Sequence, residues 1–228
     1  MNRVCTLSVV PMRAEPSDKS ELISQILYGE TFSVVESHEK WSKVRNTLDG
    51  YEGFVDNKQL GEDAIQARAT APLPFPVIHQ ERFYPAGSIL DFATEYQPWS
   101  DIAACAFSFL GTPYLWGGRT HAGIDCSGFT QMVFRLMGKN IPRDAYQQAE
   151  CGEVISFIEE TQNGDVAFFD NTEGRIIHVG IILQKPGQHF PAIIHASGEV
   201  RIDTLDNEGI KKENGEQSHR LRVIKRIR

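Results

Sequence analysis

The chain has 228 residues, enough for one large domain or two small ones. Hydrophobic residues make up 41% and charged residues 23%, with a mean hydropathy of −0.30, which excludes a disordered or fibrous chain. A formal charge of −7 has the wrong sign for a protein that grips nucleic acid by its phosphates, and no apolar run approaches the roughly 20 residues of a membrane span. Neither nucleic acid nor membrane is an expected partner.

The N-terminus, Met1-Asn2-Arg3-Val4-Cys5, carries one positive charge and lacks the apolar core of a secretory signal. A cytoplasmic location is the expectation; a signal removed from the chain would make it periplasmic or secreted. Cys5, Cys105, Cys126 and Cys151 show no CxxC spacing, so neither a disulfide framework nor a zinc site is expected, and nothing calls for a cofactor.

Residues 1–61 predict a small all-β barrel. Cys5–Val9, Leu22–Leu27, Thr31–Glu36, Trp41–Arg45 and Tyr51–Val55 read as short strands rich in Val, Ile, Phe, Tyr and Trp. Asp49-Gly50 is a hairpin signal, because Gly accepts the positive φ such turns need. Residues 62–98 hold five of the eleven prolines and no sustained periodicity, which predicts a semi-rigid connector.

Residues 99–228 predict an α+β domain, helices first and antiparallel strands after. Ser100 reads as the cap of a helix over Asp101–Leu110, stopped by Gly111. A second helix, from Cys126 to Met137, aligns Phe129, Met132, Val133 and Leu136 as one buried stripe. Strands follow at Val166–Asp170, Ile176–Leu183, Ala192–His195 and Leu221–Ile227.

Cys126 stands in Gly123-Ile124-Asp125-Cys126-Ser127-Gly128-Phe129, where a loop meets the start of the second helix. Unpaired N–H groups and the positive helix end favour its thiolate and could stabilise an oxyanion; the alternative is a small buried helix residue. His178 and His195, each on an apolar strand, are the available base and orienting residue. His38, His79, His189 and His219 read as surface residues. His121 lies five residues before Cys126, which is no zinc spacing.

The blocks Met12-Arg13-Ala14-Glu15-Pro16, Gly29-Glu30, Trp41-Ser42-Lys43-Val44 and Gly50-Tyr51-Glu52-Gly53-Phe54-Val55 resemble bacterial SH3-like domains. Gly111-Thr112-Pro113-Tyr114-Leu115-Trp116-Gly117-Gly118, Asp125-Cys126-Ser127-Gly128-Phe129, Ile141-Pro142-Arg143-Asp144, Gly164-Asp165-Val166, His178-Val179-Gly180-Ile181 and His195-Ala196-Ser197 resemble, in order, the NlpC-type papain-like cysteine peptidases of bacterial cell-wall peptides. The resemblance implies Cys126 as nucleophile, His178 as base, His195 as its orienting partner and Tyr114 near the oxyanion. It implies no metal.

The two-domain order resembles most the γ-D-glutamyl-L-diamino acid endopeptidases, in which the SH3-like domain builds part of the substrate pocket. That group cleaves free murein peptides beginning L-Ala-γ-D-Glu, ahead of diaminopimelate or Lys, during wall-peptide recycling. The resemblance places Asp125 and Ser127 on the substrate N-terminus, with Tyr51, Glu15 and Trp116 as further substrate-binding candidates. On residues alone, Asp125 serves equally as a helix cap, Tyr51 as a hairpin aromatic and Glu15 as a solvated turn residue. Arg119 and Arg143 are able to meet a substrate carboxylate or to face solvent. A peptidoglycan-binding module and a papain-like amidase or acyltransferase are the competing functions; the diamino acid, oligomeric state and protein partners stay open.

Overall fold

The computed structural model describes residues 2–63, 71–90, 96–184, 187, 190–212 and 214–228. Seven strands form the first domain: β1 Asn2–Val4, β2 Val9–Arg13, β3 Leu22–Leu27, β4 Thr31–Ser37, β5 Trp41–Asn46, β6 Glu52–Asp56 and β7 Glu62–Asp63. They pair antiparallel in the order β3-β2-β6-β5-β4-β1-β7 around a core that includes Met12, Ile26, Phe32, Val44 and Val55. Alternation along each strand sends these residues inward. Gly50 takes φ +72° in the turn between β5 and β6. Of the expected Cys5–Val9 strand only Val9 lies in a strand, as the first residue of β2; residues 5–8 are the gap between β1 and β2. There the Cys5 N–H donates to Glu30 O, and Cys5 O accepts from the Gly29 N–H, so its backbone pairs with a turn and not with a strand.

The proline-rich stretch is more structured than its composition suggests. It carries a hairpin, β8 Val77–His79 and β9 Arg82–Tyr84, turned through Gln80 and Glu81 at positive φ. Leu73, Tyr84 and Leu90 form a small core against Tyr28 of the barrel. Apolar side chains scattered among prolines found a surface to cover.

The second domain begins with α1 Ile102–Phe107, shorter than expected, capped by Asp101 and not Ser100; the Asp101 carboxylate accepts from the Ala103 and Ala104 N–H groups. A two-strand ribbon, β10 Arg119–Thr120 with β11 Gly123–Ile124, leads into α2 Cys126–Leu136. A short α3 Ala145–Gln148, which the sequence reading missed, follows. The remaining strands are β12 Glu153–Ile155, β13 Val166–Asp170, β14 Ile176–Leu183, β15 Ala192–Ser197, β16 Glu199–Leu205, β17 Gly209–Lys211 and β18 Gln217–Arg226. Their order is β12-β18-β13-β14-β15-β16-β17, and β17 also pairs with β18, so six of them close into a barrel.

Phe169, Ile182, Ile193, Leu205 and Ile210 belong to one core cluster, inside the closed sheet, while Ile181, Leu183 and Ile194 pack with Phe129, Met132 and Val133 of α2. Each such side chain contributes on the order of 1.5–3 kcal/mol when fully buried. Helix α2 was expected to bury one stripe, yet every residue of it is buried. Its polar face is covered by the first domain: Gln131 Nε2 donates to Asp49 Oδ2 at 2.8 Å, and Arg135 pairs with Glu30.

Glu30 is the centre of that contact. Its carboxylate accepts two hydrogen bonds from Arg119 at 3.0 Å each, lies 3.3 Å from Arg135 Nη1, and accepts from the Leu27 N–H at 2.9 Å. Burial pushes this carboxyl up, but Arg119 and Arg135 outweigh it and hold it below the usual range. The stabilisation is therefore full above the unfolded carboxylate pKa and is lost as pH falls through the folded one. Glu30→Ala leaves two guanidinium groups buried without their counter-charge and should cost about 3–5 kcal/mol in urea unfolding at neutral pH. A loss below about 1 kcal/mol would place the network with exposed ion pairs.

Candidate active site

The site forms where helix α2 meets the first domain and the rim of the closed sheet. Asp125 caps α2, its Oδ1 accepting from the Gly128 N–H at 2.6 Å, which fixes Cys126 as the first helical residue. The other carboxylate oxygen accepts from the Gly117 N–H at 2.8 Å. Gly117 is at φ +76°, and a Cβ there would lie 2.4 Å from Leu22 O, so only glycine lets this loop rest on β3.

Arg143 is buried against the same carboxylate. Its Nη2 and Nη1 donate to Asp125 at 2.6 and 3.0 Å, and Nη1 also donates to Ser127 Oγ at 2.8 Å. Its Nε donates to Ser24 Oγ of the first domain at 3.3 Å. Arg143 therefore pairs inside the protein and does not face solvent, and Arg119 is likewise buried, on Glu30.

A cavity of about 560 Å³ opens over Cys126. Tyr114, Trp116, Asp125, Ser127 and Asp144 line it from the second domain, and Glu21, Ile23 and Tyr51 from the first. Tyr51 Oη donates to Asp144 Oδ1 at 3.1 Å across the domain contact. Trp116 is largely exposed at the rim, and its indole N–H donates to Glu21 Oε1. Glu15 is not among the lining residues: it sits in an exposed turn whose N–H donates to Ser20 Oγ. The acidic residue that β3 presents to the cavity is Glu21, next to its first residue.

The histidines come from the inside of the closed sheet. His178 on β14 and His195 on β15 are both buried, with His178 Nε2 2.7 Å from His195 Nδ1. His195 Nε2 lies 3.0 Å from Asp203 Oδ2 on β16, and Arg201 Nη2 donates to Asp203 Oδ1 at 2.8 Å. Burial alone would raise Asp203, but the hydrogen bonds from His195 and Arg201 hold it below the carboxylate range. An ionised carboxylate only accepts, so His195 donates through Nε2 and, when neutral, accepts through Nδ1. His178 must then donate through Nε2, leaving Nδ1 bare. Three hydrogen bonds settle which nitrogen is basic.

The Cys126 sulfur hydrogen-bonds the backbone at Val179, the residue after His178, and at Ser127. Burial pushes the thiol up to about 12, with Asp125 adding in the same direction. The helix-end argument for a thiolate is outweighed by desolvation. His178 is held well below 6.5 by burial, then by His195 and His219. Burial thus disfavours the charged form of both the thiol and the imidazole. Tyr114 is pushed up to about 12 by burial and by the neighbouring Cys126, so it keeps its proton and can donate.

Of the other histidines, His38 and His79 are exposed, and His189 lies outside the described residues. His121 stacks on Phe109 at 3.9 Å. His219 is half-buried and stacks on His178, which corrects its reading as a surface residue. Among the described residues no group of three or more His, Cys, Asp or Glu is arranged to hold a metal ion, and no helix is long and apolar enough to cross a membrane. Asp203, Asp144 and Glu21 are the site residues the sequence reading missed. Asp144 stood in a quoted block, while Asp203 is tied to His195 only through strand pairing.

Residues 111–217 match the NlpC/P60 family, and residues 12–60 match the bacterial dipeptidyl-peptidase SH3 domain. The chain is 29% identical to the gamma-D-glutamyl-L-lysine dipeptidyl-peptidase of Bacillus subtilis, covering 69% of this chain and 68% of that one. It is also 29% identical to dipeptidyl-peptidase 6 of Lysinibacillus sphaericus, covering 91% and 93%. An NlpC/P60 family protein from Bacillus cereus superposes over 99% of both chains with a TM-score of 0.76 at 19% identity, which shows a shared fold. The chain thus carries an NlpC/P60 domain, the domain of a family of cysteine peptidases, behind a bacterial dipeptidyl-peptidase SH3 domain.

Proposed function

We propose that the protein releases the dipeptide L-Ala-γ-D-Glu from free murein peptides, cutting before the diamino acid. The observation that carries this reading is the cavity over Cys126, walled on one side by the SH3 domain and lined by three carboxylates, Glu21, Asp125 and Asp144, against one cation, Arg143. With Asp125 already paired to Arg143, the excess negative charge lies on Asp144 and Glu21. A buried ammonium needs such a partner, together with acceptors such as Tyr51 Oη. The names of the two relatives support a γ-D-glutamyl bond and a dipeptide product. A peptide whose L-Ala nitrogen is already acylated, as in intact wall, lacks that charge and meets the SH3 wall.

In this mechanism Cys126 Sγ attacks the γ-carbonyl carbon of D-Glu while His178 Nδ1 takes the thiol proton. The Cys126 N–H, which has no intrahelical acceptor at a helix start, and the Tyr114 hydroxyl donate to the oxyanion. Collapse passes the proton from His178 to the departing amine, and water then hydrolyses the thioester by the same base. His195 and Asp203 hold the tautomer throughout, as an orienting carboxylate does in other triads.

Two measurements check this. Cys126→Ala should abolish hydrolysis of L-Ala-γ-D-Glu-L-Lys or its diaminopimelate counterpart, and acetylating the L-Ala amine should slow the wild-type protein at least about tenfold in kcat/KM, because it removes the charge that the half-buried Asp144 would pair and adds bulk against the SH3 wall. Equal rates on free and acetylated peptides, followed by mass spectrometry, would overturn the amine-recognition reading. Because burial disfavours the thiolate, alkylation of Cys126 by iodoacetamide should climb with pH beyond about 8, whereas a preformed thiolate–imidazolium pair would give a plateau from about pH 5 upward.

A further inference from the structure

The rim of the closed sheet holds an imidazole that this mechanism does not use. His219 lies on β18 opposite Ile210, on the inner side of the sheet that also carries Phe169. Its ring stacks on that of His178 with centroids 4.0 Å apart and planes inclined by 21°. Phe169 stands against both, 5.8 Å from His178 and 6.0 Å from His219. His219 Nδ1 lies 3.0 Å from Ser218 Oγ, and that hydroxyl donates to Ile210 O at 3.4 Å. With the hydroxyl proton committed, Nδ1 is the donor, which anchors the His219 ring.

We propose that His219 is a positioning residue for the catalytic base, holding the plane of the His178 ring by stacking on its face. The proposal rests on reading Cys126 and His178 as nucleophile and base. The hydrogen bond from His178 Nε2 to His195 lies at the far end of the ring from Cβ. Taken alone it leaves rotation about Cβ–Cγ only weakly restrained, and that rotation swings Nδ1 away from the sulfur. A flat neighbour at 4.0 Å blocks the rotation, because turning the ring edge-on drives it into the stack.

The second consequence is electrostatic. When His178 takes the thiol proton, its stacked neighbour must be neutral. Burial pulls His219 down to about 4, with His195 and Lys212 acting the same way against Asp203. Arg201, opposite His195 in the sheet, is tied to Asp203, and Phe169 is apolar. The ring of His219 thus excludes water from one face of His178 without adding charge. Removing it should admit water, favour the imidazolium and raise the pH at which His178 titrates.

The test compares His219→Ala with His219→Phe, which retains a flat face. Imidazole NMR titration reads His178 without any substrate, and kcat and KM are taken on the tripeptide across pH. His219→Ala should lower kcat about tenfold with KM nearly unchanged, as expected when a reacting atom loses alignment. It should also move the His178 titration and the acid limb of kcat upward by about half a pH unit or more. His219→Phe should restore both towards the parent. An unchanged His178 titration and kcat in His219→Ala would overturn the proposal, and so would a loss in His219→Phe as large as in alanine. If the alanine variant fails to fold, His219→Gln, which has no ring, makes the same comparison. A tripeptide that the parent does not cleave would count against the proposed substrate, while the NMR titration still decides the role of His219.

Discussion

A carboxylate on one turn of the SH3 domain is the joint on which the active site hangs. Glu30 takes Arg119 from the ribbon before α2 and Arg135 from α2 itself, so it ties down both the helix that carries Cys126 and the ribbon that leads into it. Its burial obliges the partners to be present, since an isolated charge at such a depth costs several kcal/mol. With that joint made, β3 lies against the Gly117 loop, and Glu21, Ile23 and Tyr51 stand over the sulfur. The SH3 domain is thus part of the cavity's wall.

At the reacting atoms, two physical effects oppose each other and burial wins. A helix start favours a thiolate by a fraction of a charge within one turn. Removal of the sulfur from water disfavours it more and pushes the thiol up. The row Asp203, His195, His178 then matters less for its charge than for its direction, because it leaves a single nitrogen free to accept. In the proposed mechanism this couples proton transfer to attack.

The features legible in the sequence are local ones. Asp125 as cap and Cys126 as first helical residue follow from a short run of loop and helix chemistry, and β3, β13 and β14 begin and end where their apolar runs do. What stayed hidden depends on pairing between distant segments. Asp203 reaches His195 only through the β15–β16 register, and His219 reaches His178 only because β18 closes the sheet. Arg135 and Gln131 looked like the solvent face of an amphipathic helix, since nothing in α2 itself announces that another domain will cover it. Glu21 was passed over for Glu15 because a five-residue turn separates them, and only the fold shows which end of it faces the cavity.

Asp125 caps a helix through Gly128, pins a loop through Gly117, neutralises Arg143 and lines the cavity, all with two oxygens. A side chain with so many simultaneous duties has almost no neutral neighbours in sequence space. Glu would misplace the cap and Asn would strand the guanidinium, so replacement would need compensating changes at several sites together. A single substitution there undoes the cap, the loop contact and the ion pair at one stroke.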